Sequence, residues 1–345
     1  MKRSRQLFIL LILLFTIQIL NAQETAKQLY LTQDARYSFE INNEKAQIPC
    51  ASNLDITAYH PNVERFILAI HSSSYNADTY LNSVIELSEH YGQLQDKYLV
   101  LAPSLFKYNK TDLKDIVTWD VNPFWGSSRA SYKGEKITLS AYEIIDHMLN
   151  TIVRSGSFPN IKSIVILGYS AGGQMVNRYA ASNKFEYRVA KRLGIKMKYL
   201  VMAPSSYVYF NNKRAVTGTT DRFHIPRLEQ KKYNNWGYGL DNLYSYHKKN
   251  FITADYMRKN YYNKKILYLV GSKDNKKDSS MSTTKGAILQ GDNRMQRALI
   301  YYNYLQDYFS TKITKNQKMA IIEGVGHWGR GLMASKEGLE FIFLD

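Results

Sequence analysis

At 345 residues the chain is long enough to bury the core of a large α/β domain, with insertions, as one unit. Cys50 is its only cysteine, which excludes an internal disulfide and any metal site built on several thiolates, so apolar burial must hold the fold unaided. Its 46 basic residues against 29 acidic ones give a net charge of +17. The lysines are scattered and no recognition motif frames them, so the charge reads as solvated surface and no nucleic-acid partner is expected.

In chain order, Lys2, Arg3 and Arg5 precede the apolar run LFILLILLFTIQIL, which ends in LNA with the small Ala22. That layout is a secretory signal peptide over residues 1–22, and the run is shorter than the roughly 20 apolar residues of a membrane span. The expectation is an exported protein, mature from near Gln23, with no stable span after cleavage.

The next signals are short aliphatic runs: RFILAI (65–70), YLVLAP (98–103), SIVILG (163–168), YLVMAP (199–204), KILYLVG (265–271) and KMAIIEG (318–324). Unbroken apolar runs of this length fit strands buried on both faces. Helical patterns separate them, notably TYLNSVIELSEHYG, AYEIIDHMLNTIVRSG and GGQMVNRYAASNKFEYRVAKRLG. This alternation predicts an α/β fold, a mostly parallel sheet covered by helices on both faces. YSFEI and KAQIPCASN, ahead of the first run, read as an antiparallel starting hairpin. The tyrosine-rich interval 207–262 is too long for a plain connection and is expected as a lid or cap over one end of the sheet, within a single domain spanning 23–345.

The segment SIVILGYSAGGQMVNRYA carries the chemistry. Gly168-Tyr169-Ser170-Ala171-Gly172 has the form G-x-S-x-G, with a buried-type strand before it and a helical pattern after it. A serine hydroxyl needs a base to take its proton and donors to hold the oxyanion it creates. A sharp strand-to-helix turn meets part of that need: it exposes the hydroxyl and aims the N–H of the next residue, Ala171, at the same point. In the order serine, acid, histidine, Asp274 follows the strand KILYLVG, with Asp278 and Asp292 nearby. His327 follows KMAIIEG and is the only histidine beyond Asp274. The second oxyanion N–H is expected after RFILAI, at Ser72 or Ser73, whereas His71 at that strand end reads as a structural hydrogen-bonding group.

Together, LAIHSSSYNA, FPNIKSIVILGYSAGGQMVNRYA, GSKD and GVGHWG resemble the α/β-hydrolase superfamily, and within it an esterase-like branch, from about Ile48 onward. The resemblance implies Ser170 as nucleophile, Asp274 as acid and His327 as base in a cofactor-independent hydrolase of carboxylic ester or related acyl bonds. Family members commonly have His-Gly at the oxyanion loop where this chain has His71-Ser72. Gly324–Gly329 spells G-x-G-x-x-G, but no second βαβ half follows within these 345 residues to hold a dinucleotide. The histidines show no zinc-ligand spacing. Arg178, two turns beyond Ser170, is expected to tie helix to lid by a salt bridge. The expected function is an exported serine hydrolase acting on a small-molecule or polymer-borne ester, with activity falling as pH drops through the imidazole range. The alternative is a catalytically silent hydrolase fold whose aromatic insertion binds a polysaccharide or a protein at the cell surface.

Overall fold

A computed structural model of the chain describes residues 35–344, except 42, 94 and 228–230. The expected signal peptide, residues 1–22, lies outside the described residues. Thirteen strands are present among those described: β1 (Arg36–Ile41), β2 (Glu44–Ser52), β3 (Arg65–Ile70), β4 (Tyr98–Pro103), β5 (Thr118–Trp119), β6 (Arg129–Tyr132), β7 (Glu135–Thr138), β8 (Ser163–Tyr169), β9 (Lys196–Met202), β10 (Arg214–Ala215), β11 (Phe223–His224), β12 (Lys265–Gly271) and β13 (Gln317–Ile322). The helices of eight residues or more are α1 (Ala77–His90), α2 (Ala141–Arg154), α3 (Ala171–Ser182), α4 (Ala254–Tyr261), α5 (Arg294–Phe309) and α6 (Lys336–Phe343).

Eight strands form one sheet in the order β1-β2-β4-β3-β8-β9-β12-β13. β1 and β2 pair antiparallel, as the hairpin pattern predicts, and β2 meets β4 antiparallel. From β4 onward every neighbour is parallel. The reason lies in the sequence: each aliphatic run is followed by a crossover long enough to return to the same edge, and the runs carry no polar face to leave in water. Phe66, Leu68, Ile164, Leu167, Tyr199 and Val270 are accordingly fully buried.

Because the central strands run the same way, their carboxyl ends share one edge. β3 and β8 are in register from Arg65 opposite Ser163 to Ile70 opposite Gly168, and β8 and β9 to Tyr169 opposite Met202. Ser72, Ser170, Asp274 and His327 each lie within five residues of such an end.

The long helical pattern after the elbow divides. α3 stops at Ser182, followed by a short turn over Phe185–Arg188 and a 3-10 turn over Ala190–Leu193. Asn183 causes the break by offering the backbone competing partners: its side-chain amide donates to the Tyr179 carbonyl and the Tyr199 hydroxyl, and its oxygen accepts from the Glu186 N–H. A second departure is the small antiparallel sheet β5-β6-β7 between β4 and α2. Its hairpin turn, Lys133-Gly134, has φ of 48° and 84°, the left-handed pair of a two-residue turn between alternating strands.

The interval 207–262 mixes exposed residues such as Phe251 and Ile225 with a set of buried aromatic rings. Tyr207, Tyr209, Phe210, Trp236 and Tyr246 are buried, and Tyr207 and Tyr209 pack on Tyr301 and Tyr304 of α5 with ring centroids 4.3 Å apart in each closest pair.

Candidate active site

β8 delivers Ser170 to the sheet edge and α3 begins at the next residue, so the chain reverses within a single position. Ser170 takes that turn at φ 54°, ψ −112°, a conformation costly for a residue with a Cβ. The turn closes only because of its glycines: a Cβ on Gly172 would stand 2.3 Å from the Ile70 carbonyl oxygen. The Ser170 N–H donates to Met202 O at 2.9 Å, fixing the elbow to β9.

Asp274 and His327 arrive from the ends of β12 and β13. The His327 Nδ1–H donates to Asp274 Oδ2 at 2.7 Å, which leaves Nε2 to accept from the Ser170 hydroxyl at 3.2 Å. The His327 loop can come this close because Gly271 has no side chain, since a Cβ there would lie 2.1 Å from Val325 O. Tyr169 backs the imidazole at 4.7 Å between ring centroids. The three residues are thus brought into one hydrogen-bonded chain from positions 170, 274 and 327.

Asp274 is buried and its other oxygen faces Arg294, whose Nη1 lies 3.3 Å from Oδ1. Arg294, itself wholly buried, also holds Asp278 at 2.5 Å and donates to the Ser280 hydroxyl at 2.6 Å. Its hydrogen bond keeps the Asp278 carboxyl well below the usual range. So Asp278, the nearby alternative acid, is bound to Arg294 rather than to His327. Asp292 donates its backbone N–H to the Gln296 side-chain oxygen. Arg294 itself was missed in the sequence; nothing local marks an arginine at a helix start as the partner of a distant carboxylate.

Two of the expected oxyanion donors, Ala171 and Ser73, lie beside Ser170. As the first residue of α3, Ala171 has an N–H with no intrahelical partner. It lines a cavity of about 350 Å³ together with Ser170 and Ser73. Ser72 does not line it; its hydroxyl and that of Ser74 are 2.6 Å apart, and its carbonyl accepts from the Tyr75 N–H. His71 anchors this loop. The Nδ1–H donates to Ser72 O at 2.6 Å and Nε2 accepts from the Leu105 N–H at 2.8 Å, a fully paired neutral ring.

Burial pulls His71 down to about 4 and His247 down to about 3. Both stay neutral in the folded protein while the unfolded chain takes up protons below about pH 6.5. Stability carried by His71 is therefore complete above pH 6.5 and declines as pH falls toward 4, by about 3 kcal/mol over that window. Burial raises Asp146 to about 6, which works in the opposite direction and reduces the net slope. The expected result is that His71→Gln narrows the difference between urea midpoints at neutral and acid pH; an unchanged difference would refute the assignment.

The rest of the cavity wall comes from elsewhere than the interval 207–262. Asn122, Phe124, Trp125, Gln174, Ser205 and the segment 280–282 also line it. No described residue of 207–262 lines it. Arg178 does tie α3 to that interval, but through hydrogen bonds, not a salt bridge: Nε donates to Gly237 O at 2.9 Å and Nη2 to the Ser206 hydroxyl at 3.0 Å. The guanidinium also stacks over Trp125, 5.0 Å from its ring centre.

A sheet of order 1-2-4-3 continuing to a central elbow strand, with the serine at that strand's end, decides the fold. This is the α/β-hydrolase fold. Solved structures agree. A poly(3-hydroxybutyrate) depolymerase from Bordetella parapertussis superposes with a TM-score of 0.57 at 16% identity, over 90% of this chain and 91% of that one. A poly(aspartic acid) hydrolase-1 from Sphingomonas sp. KT-1 superposes with a TM-score of 0.56 at 16% identity, over 90% of this chain and 100% of that one. No protein-family model matches the sequence, and no curated protein matches it either. In this α/β-hydrolase fold, no helix among the described residues is long and apolar enough to cross a membrane.

Proposed function

We propose that this protein is an exported serine hydrolase that cleaves carboxylic ester or related acyl bonds through Ser170, His327 and Asp274. The observation that carries the reading is the continuous bond chain from Asp274 Oδ2 through the imidazole to the hydroxyl of a strained elbow serine. Such strain persists only where the surroundings hold it, and here it sets the hydroxyl at a cavity. The two superposed proteins are named for hydrolysis of polymers joined through acyl groups, in keeping with this reading. Export rests on residues 1–22 alone.

In the scheme, Ser170 Oγ attacks the acyl carbon while its proton passes to His327 Nε2. Asp274 keeps the imidazole in the tautomer that can accept that proton and stabilises the imidazolium that results. The carbonyl electron pair becomes an oxyanion held by the N–H of Ala171 and a backbone N–H of the Ser72 and Ser73 loop. When the tetrahedral species collapses, the alcohol leaves with the proton from Nε2. Water then attacks the acyl-enzyme, gives its proton to Nε2, and the acid departs as Ser170 recovers its own.

A fluorophosphonate probe tests the assignment. The wild-type protein should be labelled at Ser170 and Ser170→Ala should not be. Equal labelling of the two, or none of the wild type, would remove Ser170 as nucleophile.

A further inference from the structure

The lining of the cavity beside Ser170 includes Lys107 and no aspartate or glutamate among the described residues. Lys107 has no carboxylate within 4 Å among those residues. Behind the lining stand three buried arginines. Arg178 donates to the carbonyl of Gln174 at 3.0 Å, and Arg297 to the carbonyls of Ser205 and, at 3.1 Å, Ser282. Gln174, Ser205 and Ser282 all line the cavity. Neither Arg178 nor Arg297 has a carboxylate within 4 Å among the described residues, although Asp292 acts on Arg297 from farther away; carbonyl oxygens hold both guanidinium groups, with the Ser206 hydroxyl added for Arg178.

The third arginine, Arg294, is balanced by Asp274 and Asp278. The local set is therefore Lys107, Arg178, Arg294 and Arg297 against Asp274, Asp278 and Asp292, which leaves positive charge in excess. Burial pulls Arg297 down only to about 10, so it stays charged at neutral pH, and arginine as a rule does not lose its proton in proteins. Charges set in protein are screened far less than surface charges, so an excess of buried positive charge one residue behind the wall gives the cavity a positive potential. Phe124 and Trp125 in the lining suit a short hydrocarbon chain.

From this we infer that the site selects esters carrying an ionised carboxylate a short chain away from the scissile carbonyl, with Lys107 receiving that carboxylate. The inference rests on the serine-hydrolase reading and adds the substrate class. Lys107 is a specificity-determining residue in this scheme; the buried arginines supply the background field.

A matched pair of substrates tests it: monomethyl adipate, which is anionic, against methyl hexanoate, its neutral counterpart of equal chain length, followed by methanol release. The wild-type kcat/KM should favour monomethyl adipate by about tenfold or more, one favourable charge contact. That preference should shrink as salt is raised to about 1 M, fall in Lys107→Met, and reverse in Lys107→Glu. As a readout independent of turnover, adipate should slow fluorophosphonate labelling at lower concentration than hexanamide does. In a protein that the probe labels, equal or greater preference for the neutral ester, equal protection by the two additives, or a preference unchanged in Lys107→Met overturns this inference and leaves the nucleophile standing. Absence of labelling overturns both.

Discussion

Asp274→Asn should lower kcat by on the order of 10³ to 10⁴ while leaving the fold intact. The reason is a change of tautomer. In the wild type, Asp274 Oδ2 accepts from the His327 Nδ1–H at 2.7 Å, so Nε2 presents a lone pair to Ser170. An asparagine that turns its NH₂ toward the ring donates where the carboxylate accepts. The proton then moves to Nε2, and the base can no longer take a proton from serine. Because the side chains are nearly equal in volume, the urea midpoint should move much less than kcat. Steady-state kinetics on a short acyl ester, with circular dichroism to check the fold, makes the measurement; a loss under tenfold would move the role of the acid to another residue.

Arg294→Met should have the largest effect on stability, a loss of about 3 to 5 kcal/mol in unfolding free energy. The side chain is wholly buried and joins Asp274, Asp278 and Ser280, so its removal strands a buried carboxylate without its cation. Activity should fall as well, since Oδ1 of Asp274 loses the contact that sets the carboxylate against His327. Arg294→Lys should restore only part of this, because one ammonium cannot reproduce a planar fork that reaches two carboxylates and a hydroxyl. The dependence has a sign. Asp278 is held below its ordinary value by Arg294, so the stabilisation it shares is present at neutral pH and is lost as pH falls through the acidic range. Urea titration at neutral pH decides the matter, and a variant within 1 kcal/mol of wild type would show the contact to be dispensable.

The sheet was legible because its information is local. Runs such as SIVILG and KILYLVG are apolar on both faces, and that pattern survives any detail of packing; the observed β8 and β12 begin where the runs begin. The G-x-S-x-G turn was legible for a similar reason, since three small residues around a serine are a steric requirement written into adjacent positions. The over-long helix after it was not, because its end depends on Asn183 meeting Tyr199, a residue in the next strand.

By itself, then, the sequence determined a parallel sheet, its elbow and the serine at the elbow's tip, along with a candidate acid and base at two later strand ends. Only the tertiary structure decided which charges meet. Several rings of the tyrosine-rich interval 207–262 pack against α5, whereas Phe124 and Trp125, between β5 and β6, line the cavity beside Ser170. Among the scattered basic residues, the buried Arg178, Arg294 and Arg297 gather behind one cavity. The physical reason is range: hydrophobic period and turn sterics act between near neighbours in the chain, while burial and electrostatic pairing depend on distances in space that arise once the sheet has closed.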